Sequence, residues 1–273
     1  MIQPFQVSRM STQIQCARCG NPAGKHCKGC FQAVDVQGRQ ISPTYYCSKE
    51  CQRSDWKHRG HKLVCMQACD RKRLHRAGEL IQAVFHEYGH ACTESWITDV
   101  VTGFDGKKTC VVTTYKLGSL LFCDFPDHLF RNEHDRKVML ARFQCDEALL
   151  RMHSLILQAL EGLDDRMEDL AVSPRRKKEH LDYVAPSGQL DTQHVDGHVF
   201  QRLTIAGQQY AFDLTSAQYG HFRTVTPYEE HAERIVQRVT YVDHFGSLEA
   251  AGRESKNADI AMALAGDPDA VHA

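Results

Sequence analysis

Within fifty residues, seven cysteines and one of the three histidines fall in pairs: Cys16-x2-Cys19, Cys27-x2-Cys30, Cys47-x3-Cys51 and His61-x3-Cys65. Thiolate and imidazole are the ligands zinc prefers, and a closed structural site takes four of them. Eight such groups make two closed sites. Neither keeps a position for water or a substrate, so the metal is expected to hold structure rather than to do chemistry. A two-residue spacing lets one tight turn aim both sulfurs at a single ion. A three-residue spacing puts both side chains on one face of a helix. Disulfides would not explain a histidine in register, and paired spacings of this kind read as zinc sites.

The run Tyr46-Cys47-Ser48-x2-Cys51-Gln52-x2-Asp55-Trp56, closed by His61-x3-Cys65, resembles the MYND-type zinc finger over residues 16–65. The resemblance implies interleaved sites. Cys16, Cys19, Cys47 and Cys51 would take the first zinc, and Cys27, Cys30, His61 and Cys65 the second. It also implies an interaction module, since members bind short proline-containing segments, and Gln52 and Trp56 match the positions used for that contact. A tryptophan offers a flat apolar face to a pre-extended proline segment, and a glutamine amide can pair with a peptide backbone. Core packing of a small domain is the other role open to Trp56. Two features depart from the family pattern. The segment from Phe31 to Tyr46 is long, so a loop is expected there. The step from Trp56 to His61 is longer by two residues, which leaves His58 as a rival ligand; His61 keeps the spacing to Cys65 and is preferred.

A second constellation lies in the body of the chain. His198-Val199-Phe200 opens one strand-like run, and Tyr210-Ala211-Phe212-Asp213 closes the next. Neighbouring strands bring facing side chains together, and a carboxylate beside an imidazole fixes its tautomer. The order of these residues resembles the tail of transglutaminase-like and papain-like cores. That resemblance implies an upstream nucleophilic cysteine at a helix start, where the thiol is easier to ionise. Cys145 is the candidate on position, with Cys123 and Cys92 as rivals. Phe143-Gln144-Cys145, however, reads as the middle of a helix, and Asp146 and Glu147 are unfavourable neighbours for a thiolate. A buried cysteine beside a structural His198–Asp213 pair is the plainer reading. His-x-Phe and Asp213-Leu-Thr-x-Ala-Gln-Tyr-Gly also resemble the C-terminal region of fungal MYND-finger proteins, a likeness that implies a family and names no activity.

The elements that must position these groups follow from length and pattern. The chain has 273 residues, enough for the finger and a larger body. Hydrophobic content of 42% with 25% charged residues suits a soluble globular protein, and a net charge of −1 argues against nucleic acid as a partner. Twelve cysteines include five outside the pairs, Cys69, Cys92, Cys110, Cys123 and Cys145, at no regular spacing. Scattered thiols fit a reducing, intracellular compartment, nucleus or cytoplasm. No secretory signal or membrane span is visible, so no membrane association is expected.

Residues 1–15 read as a flexible lead-in and 16–65 as the finger. Residues 66–95 read as a connecting helix, with Leu74, Ala77, Leu80, Ile81, Val84 and Phe85 at three- and four-residue steps. Its basic run Arg71-Lys72-Arg73 with Arg76 is read as a solvated face. His86 and His90, with Glu87, miss the zinc-protease spacing. Residues 96–248 form an α+β domain with two β-hairpins: Trp96–Val101 with Thr109–Tyr115 across Asp105-Gly106, and the two runs around Gly207. Between them a long helix is expected from Glu133 to Leu170, and residues 181–196 read as loop. Thr226-Pro227 starts a helix that should reach Val239. Residues 249–273 are expected to be disordered.

The fold class is therefore a small zinc-stabilised MYND finger followed by an α+β domain. The expected function is that of an adaptor whose finger recognises proline-containing segments of a protein partner. A cysteine hydrolase or acyltransferase targeted by the finger is the alternative. The MYND-containing lysine methyltransferases are disfavoured, because their characteristic Asn-His pair near a tyrosine is absent from the sequence.

Overall fold

A computed structural model describes residues 13–93, 95–102, 108–115, 125–163, 166–175, 181–184 and 197–255. The chain divides into two compact units, residues 1–72 and 73–273.

In the first unit the two knuckles turn the chain twice, and short strands β1 (Lys25–His26) and β2 (Tyr45–Tyr46) pair antiparallel behind them. The long segment after Cys30 does form a loop, closed by a bridge between Val34 and Gln40 and by Asp35, whose carboxylate accepts the N–H groups of Gln37 and Arg39. Helix α1 (Lys49–His58) starts at Ser48, whose hydroxyl accepts the Cys51 N–H at 3.2 Å. That is a capped helix start. Helix α2 (His61–Ala91) follows after Gly60, at φ +81, and its 31 residues cross the unit boundary. The connecting helix expected from residue 66 therefore begins earlier, inside the finger. The basic run is not simply solvated: Arg71 and Lys72 donate to the carbonyls of Val34 and Phe31, and Arg73 to that of Glu161.

In the second unit, strands β3 (Ser95–Thr102) and β4 (Lys108–Tyr115) pair antiparallel as expected. The Asp105-Gly106 turn lies outside the described residues. Helix α3 (Glu133–Ala141) starts on the Asn132 side chain, which accepts the Asp135 N–H. Helix α4 (Cys145–Leu160) follows. The long helix expected from Glu133 to Leu170 is thus two helices, broken where Phe143 takes φ 56, a left-handed conformation that no helix interior accommodates. The helical pattern also ends early, because strand β5 (Met167–Pro174) buries Leu170 and Val172 in a sheet. Strand β6 (Leu181–Val184) pairs parallel with β4, where a loop was expected.

Strands β7 (His198–Ile205) and β8 (Gln208–Phe212) form the second expected hairpin, turning through Ala206 and Gly207, both at positive φ. Strand β9 (Val225–Pro227) pairs with β8. Helix α5 (Tyr228–Ile235) begins after Pro227, which takes the cap position expected of Thr226. It also stops at Ile235, and β10 (Val236–His244) follows instead of further helix. The β-branched residues Val236, Val239, Thr240 and Val242 suit a strand better than a helix. Residues 247–255 are helical, so the expected disordered tail does not start at 249; residues 256–273 lie outside the described residues, as do 1–12.

The larger sheet runs β10-β5-β7-β8-β9, antiparallel throughout. Alternation splits its side chains between two faces. Leu203, Ile205, Tyr210 and Phe212 pack with Leu74, Ile81 and Phe85 of α2 and Met152, Ile156 and Leu160 of α4. Leu170, Val172, Phe200 and Ala211 pack with Ala232 of α5 on the other face. Gly78 lets α2 come close: a Cβ there would stand 2.7 Å from Val225. No helix among the described residues is long and apolar enough to cross a membrane.

Candidate functional site

The eight paired ligands gather into two clusters, Cys16-Cys19-Cys47-Cys51 and Cys27-Cys30-His61-Cys65, each with its donor atoms within 4.8 Å of one another. The exposed His58 stands outside them. Bond lengths test the fit to zinc. Tetrahedral Zn–S bonds of roughly 2.3 Å place ligand sulfurs roughly 3.8 Å apart. Cys19 and Cys47 are separated by 3.5 Å, Cys47 and Cys51 by 3.5 Å, and Cys51 and Cys19 by 3.8 Å. In the second cluster Cys27 and Cys65 are 3.7 Å apart, as are Cys30 Sγ and His61 Nε2. All four residues of that cluster are buried.

Electrostatics agree with the spacing. Cys19 and then Cys51 push the Cys47 thiol up to about 12. Burial also acts upward on Cys16, but the backbone N–H groups of Cys47, Cys19 and Arg18 outweigh it and bring that thiol down to about 6. Crowded thiols thus lose a first proton readily and later ones with difficulty. A divalent cation removes that obstacle.

Each cluster joins a knuckle to a helix. Arg18 of the first knuckle donates to Ser54 of α1 at 3.1 Å, and Tyr46 of β2 donates to Asp55 of α1 at 2.7 Å. In the second knuckle Gly29 is required by space, since a Cβ there would lie 2.7 Å from the Cys65 sulfur. The rings of Tyr46 and Trp56 stand edge-on to His61 at centroid distances of 5.7 and 5.8 Å.

The sequence of this region matches the family model of the MYND finger. Residues 16–65 are a MYND finger. No curated protein and no solved structure matches the chain, and nothing in these comparisons supports a transglutaminase-like body. The MYND finger is a domain generally used for protein interactions, and its two clusters fit two structural zinc ions. Gln52 and Trp56, one turn apart on α1, are both half-buried.

A second polar cluster lies in the body. His198 opens β7 and Asp213 follows β8. Gln201 pairs with Phe212, so the two are diagonal neighbours rather than directly facing. His198 Nε2 donates to Asp213 Oδ2 at 2.7 Å. The other oxygen accepts the backbone N–H and hydroxyl of Thr215 at 2.9 and 3.3 Å. His231 of α5 places Nε2 3.3 Å from the shared Oδ2. All three residues are at most 3% exposed. Burial acts upward on the Asp213 carboxyl, but His198 and then His231 hold it well below the usual carboxylate range. Burial acts downward on His198, yet Asp213 outweighs it and raises the imidazole, with the Cys145 thiol adding to the rise.

The start of α4 lies in the same neighbourhood: Phe143 bonds to Gln218 at 3.4 Å, and Tyr219, next to Gln218, stands edge-on to the His198 ring at 4.8 Å. Cys145 is the first residue of α4, not the middle of a longer helix, because the break at Phe143 restarts the chain there. Asp146 is exposed and Glu147 pairs with Arg151 at 3.1 Å, so neither carboxylate follows the thiol inward. Of the rivals, Cys92 sits just past the end of α2 and Cys123 lies outside the described residues. Two neighbours escaped sequence reasoning. His231 carries no spacing signal. Gln218, five residues after Asp213 in a short 3-10 turn (Ser216–Tyr219), accepts the Phe143 N–H on Oε1 at 3.4 Å. Its Nε2 and the Nδ1 of His198 are buried with no hydrogen-bond partner among the described residues. An open cleft of about 140 Å³ adjoins His231, lined also by Phe222, Arg223 and Arg234.

Proposed function

We propose that the protein is an adaptor whose MYND finger captures a proline-containing segment of a partner protein on α1, with Gln52 and Trp56 as the contact residues. The observation that carries this reading is their placement. They lie four residues apart on one helical face, and the Trp56 ring is braced edge-on by His61 while the residue keeps part of its surface accessible. A braced aromatic loses little side-chain freedom on binding. An extended proline segment arrives already ordered, so both partners avoid much of the entropic penalty of association. Asp55, between them in sequence, is turned inward to Tyr46 and leaves this face to Gln52 and Trp56.

The zinc ions fix both ends of the presenting helix, since Cys51 belongs to one cluster and His61 follows into the other. Fluorescence anisotropy with a library of proline-containing peptides tests the reading on zinc-loaded, full-length protein. Gln52→Ala and Trp56→Ala should each weaken a peptide that binds the wild type, by about 1 kcal/mol or more for a contact residue of this kind. Zinc content is measured alongside, so that lost folding is not counted as lost binding. Equal affinity in both metal-replete variants sinks this surface.

A further inference from the structure

The interaction role of the finger leaves the buried cluster of the second unit without a task. The cluster is more than a structural hydrogen bond. His198 is bonded through Nε2 to Asp213, while its Nδ1 is buried without a hydrogen-bond partner among the described residues. Tyr219 stands edge-on to its ring at 4.8 Å, and the adjacent Gln218 bonds to Phe143, two residues before Cys145, whose thiol is among the groups that raise His198. Cys145 in turn opens a 16-residue helix, and the first turn of a helix carries unpaired N–H groups and the positive end of the dipole. Gln218 is anchored by Phe143, two residues before the thiol, and keeps a buried amide donor without a partner among the described residues. Unsatisfied buried donors are rare in folded proteins. One acceptor atom of a ligand would satisfy Gln218, and one proton from the thiol would satisfy His198.

A metal centre formed by His198, Asp213 and His231 fits less well. Tetrahedral ligands at roughly 2.0–2.1 Å from zinc stand roughly 3.3 Å apart. The 2.7 Å separation of His198 and Asp213 is that of a direct charge-assisted hydrogen bond. A metal on Nε2 would also leave the influence of the Cys145 thiol on His198 unexplained.

We infer that Cys145 is a nucleophile toward acyl groups carried as ester, thioester or amide, with His198 holding its proton and passing it to the leaving group, Asp213 orienting His198, and Gln218 Nε2 donating to the oxyanion. With His198 raised above its ordinary value, the thiol proton rests on Nδ1 as a thiolate–imidazolium pair, and Sγ attacks the carbonyl carbon. The carbon–sulfur bond forms, and the carbonyl electron pair moves to oxygen, towards the Gln218 amide. Collapse breaks the bond to the leaving oxygen, sulfur or nitrogen, which departs with the proton held by His198. The product is a thioester on Cys145. Water or a hydroxyl or amine acceptor then attacks that thioester, with the now neutral His198 as base; collapse breaks the carbon–sulfur bond, and the thiolate–imidazolium pair returns. Nothing is oxidised or reduced. His231, on the same carboxylate oxygen as His198, positions Asp213.

Two probes of different mechanism test the site on full-length, zinc-loaded protein. 4-Nitrophenyl acetate passes through a tetrahedral oxyanion, whereas iodoacetamide alkylates sulfur without one. Peptide mass spectrometry follows Cys145 against Cys92 as an internal reference near neutral pH. Cys145 should be acetylated and alkylated at least tenfold faster than Cys92, and His198→Ala should slow both reactions. Gln218→Ala should slow acetylation by about 10²-fold and alkylation at least tenfold less than that. The ratio of the two rates is insensitive to a general loosening of the fold. Three outcomes overturn the inference: Cys145 reacting no faster than Cys92, Gln218→Ala lowering both rates alike, or a third zinc per chain that His231→Ala releases.

Discussion

The phenol of Tyr46 donates to the carboxylate of Asp55 across 2.7 Å, and both residues are buried, at 1% and 7% exposure. This bond fastens the strand before Cys47 to the helix that carries Cys51. It also explains two letters of the finger pattern that bind no metal. Tyr46→Phe keeps the ring against His61 but leaves a buried carboxylate without its donor. The expected loss is about 1–3 kcal/mol of finger stability, read as a lower unfolding midpoint at fixed free zinc. A loss below about 0.5 kcal/mol, the range of a neutral surface change, would show the bond to be idle.

Metal removal should separate the two units. Two zinc ions per chain are expected by elemental analysis. Each structural site contributes on the order of 10–16 kcal/mol of apparent binding energy, and a finger of this size has little else to hold it. A chelator, Cys47→Ala or Cys65→Ala should therefore abolish the edge-on environment of Trp56, seen as a change in its fluorescence. The sheet of residues 167–244 should keep its circular dichroism. Simultaneous loss of both signals contradicts this expectation.

Gly29→Ala should loosen the second zinc site selectively. The added Cβ would stand 2.7 Å from Cys65 Sγ, inside contact distance, and the knuckle has to shift to relieve it. Competition with a chromogenic chelator should show one ion released at least tenfold more readily and the other changed much less. Two unaltered affinities would mean that the knuckle yields without penalty.

The pH dependence of the body follows from the His198–Asp213 pair. Asp213 is held below its ordinary value, so its contribution is present above the unfolded pKa of about 3.9 and is lost as pH falls through the lower folded value. His198 is raised, so its contribution is full below the unfolded pKa of about 6.5 and is lost as pH climbs through the higher folded value. The pair therefore stabilises most between about pH 4 and 6.5. Asp213→Asn should cost about 3–5 kcal/mol there and progressively less on the alkaline side. Denaturant unfolding of the body at several pH values measures both; a difference that grows with rising pH contradicts the assignment.

The finger was legible because its ligands announce themselves locally. Spacing alone paired Cys47 with Cys51 and His61 with Cys65, and chose His61 over His58. The body was less so. Leu170 and Val172 continue a helical count of apolar residues, and only pairing with β7 and β10 makes them strand. Phe143 gives no sign in its side chain that it will take a left-handed backbone, so one long helix was expected where two were found, and Cys145 was misplaced in its middle. Val236 to His244 follows a helix without a glycine or proline stop, and its strand exists through β5. Gln218 and His231 become site residues only through tertiary neighbours, which no spacing encodes.

The overlap of the two zinc clusters gives the finger a simple logic. One set of ligands spans residues 16 to 51 and the other 27 to 65, so the loops they close cross, and α1 hangs between them with Cys51 on one side and His61 on the other. Losing the first ion frees the start of that helix; losing the second frees its exit. Presentation of the proposed contact, Gln52 and Trp56, would then require both occupancies at once. Under the proposed function, binding of a partner to this surface should fall with the square of free zinc where neither site is saturated.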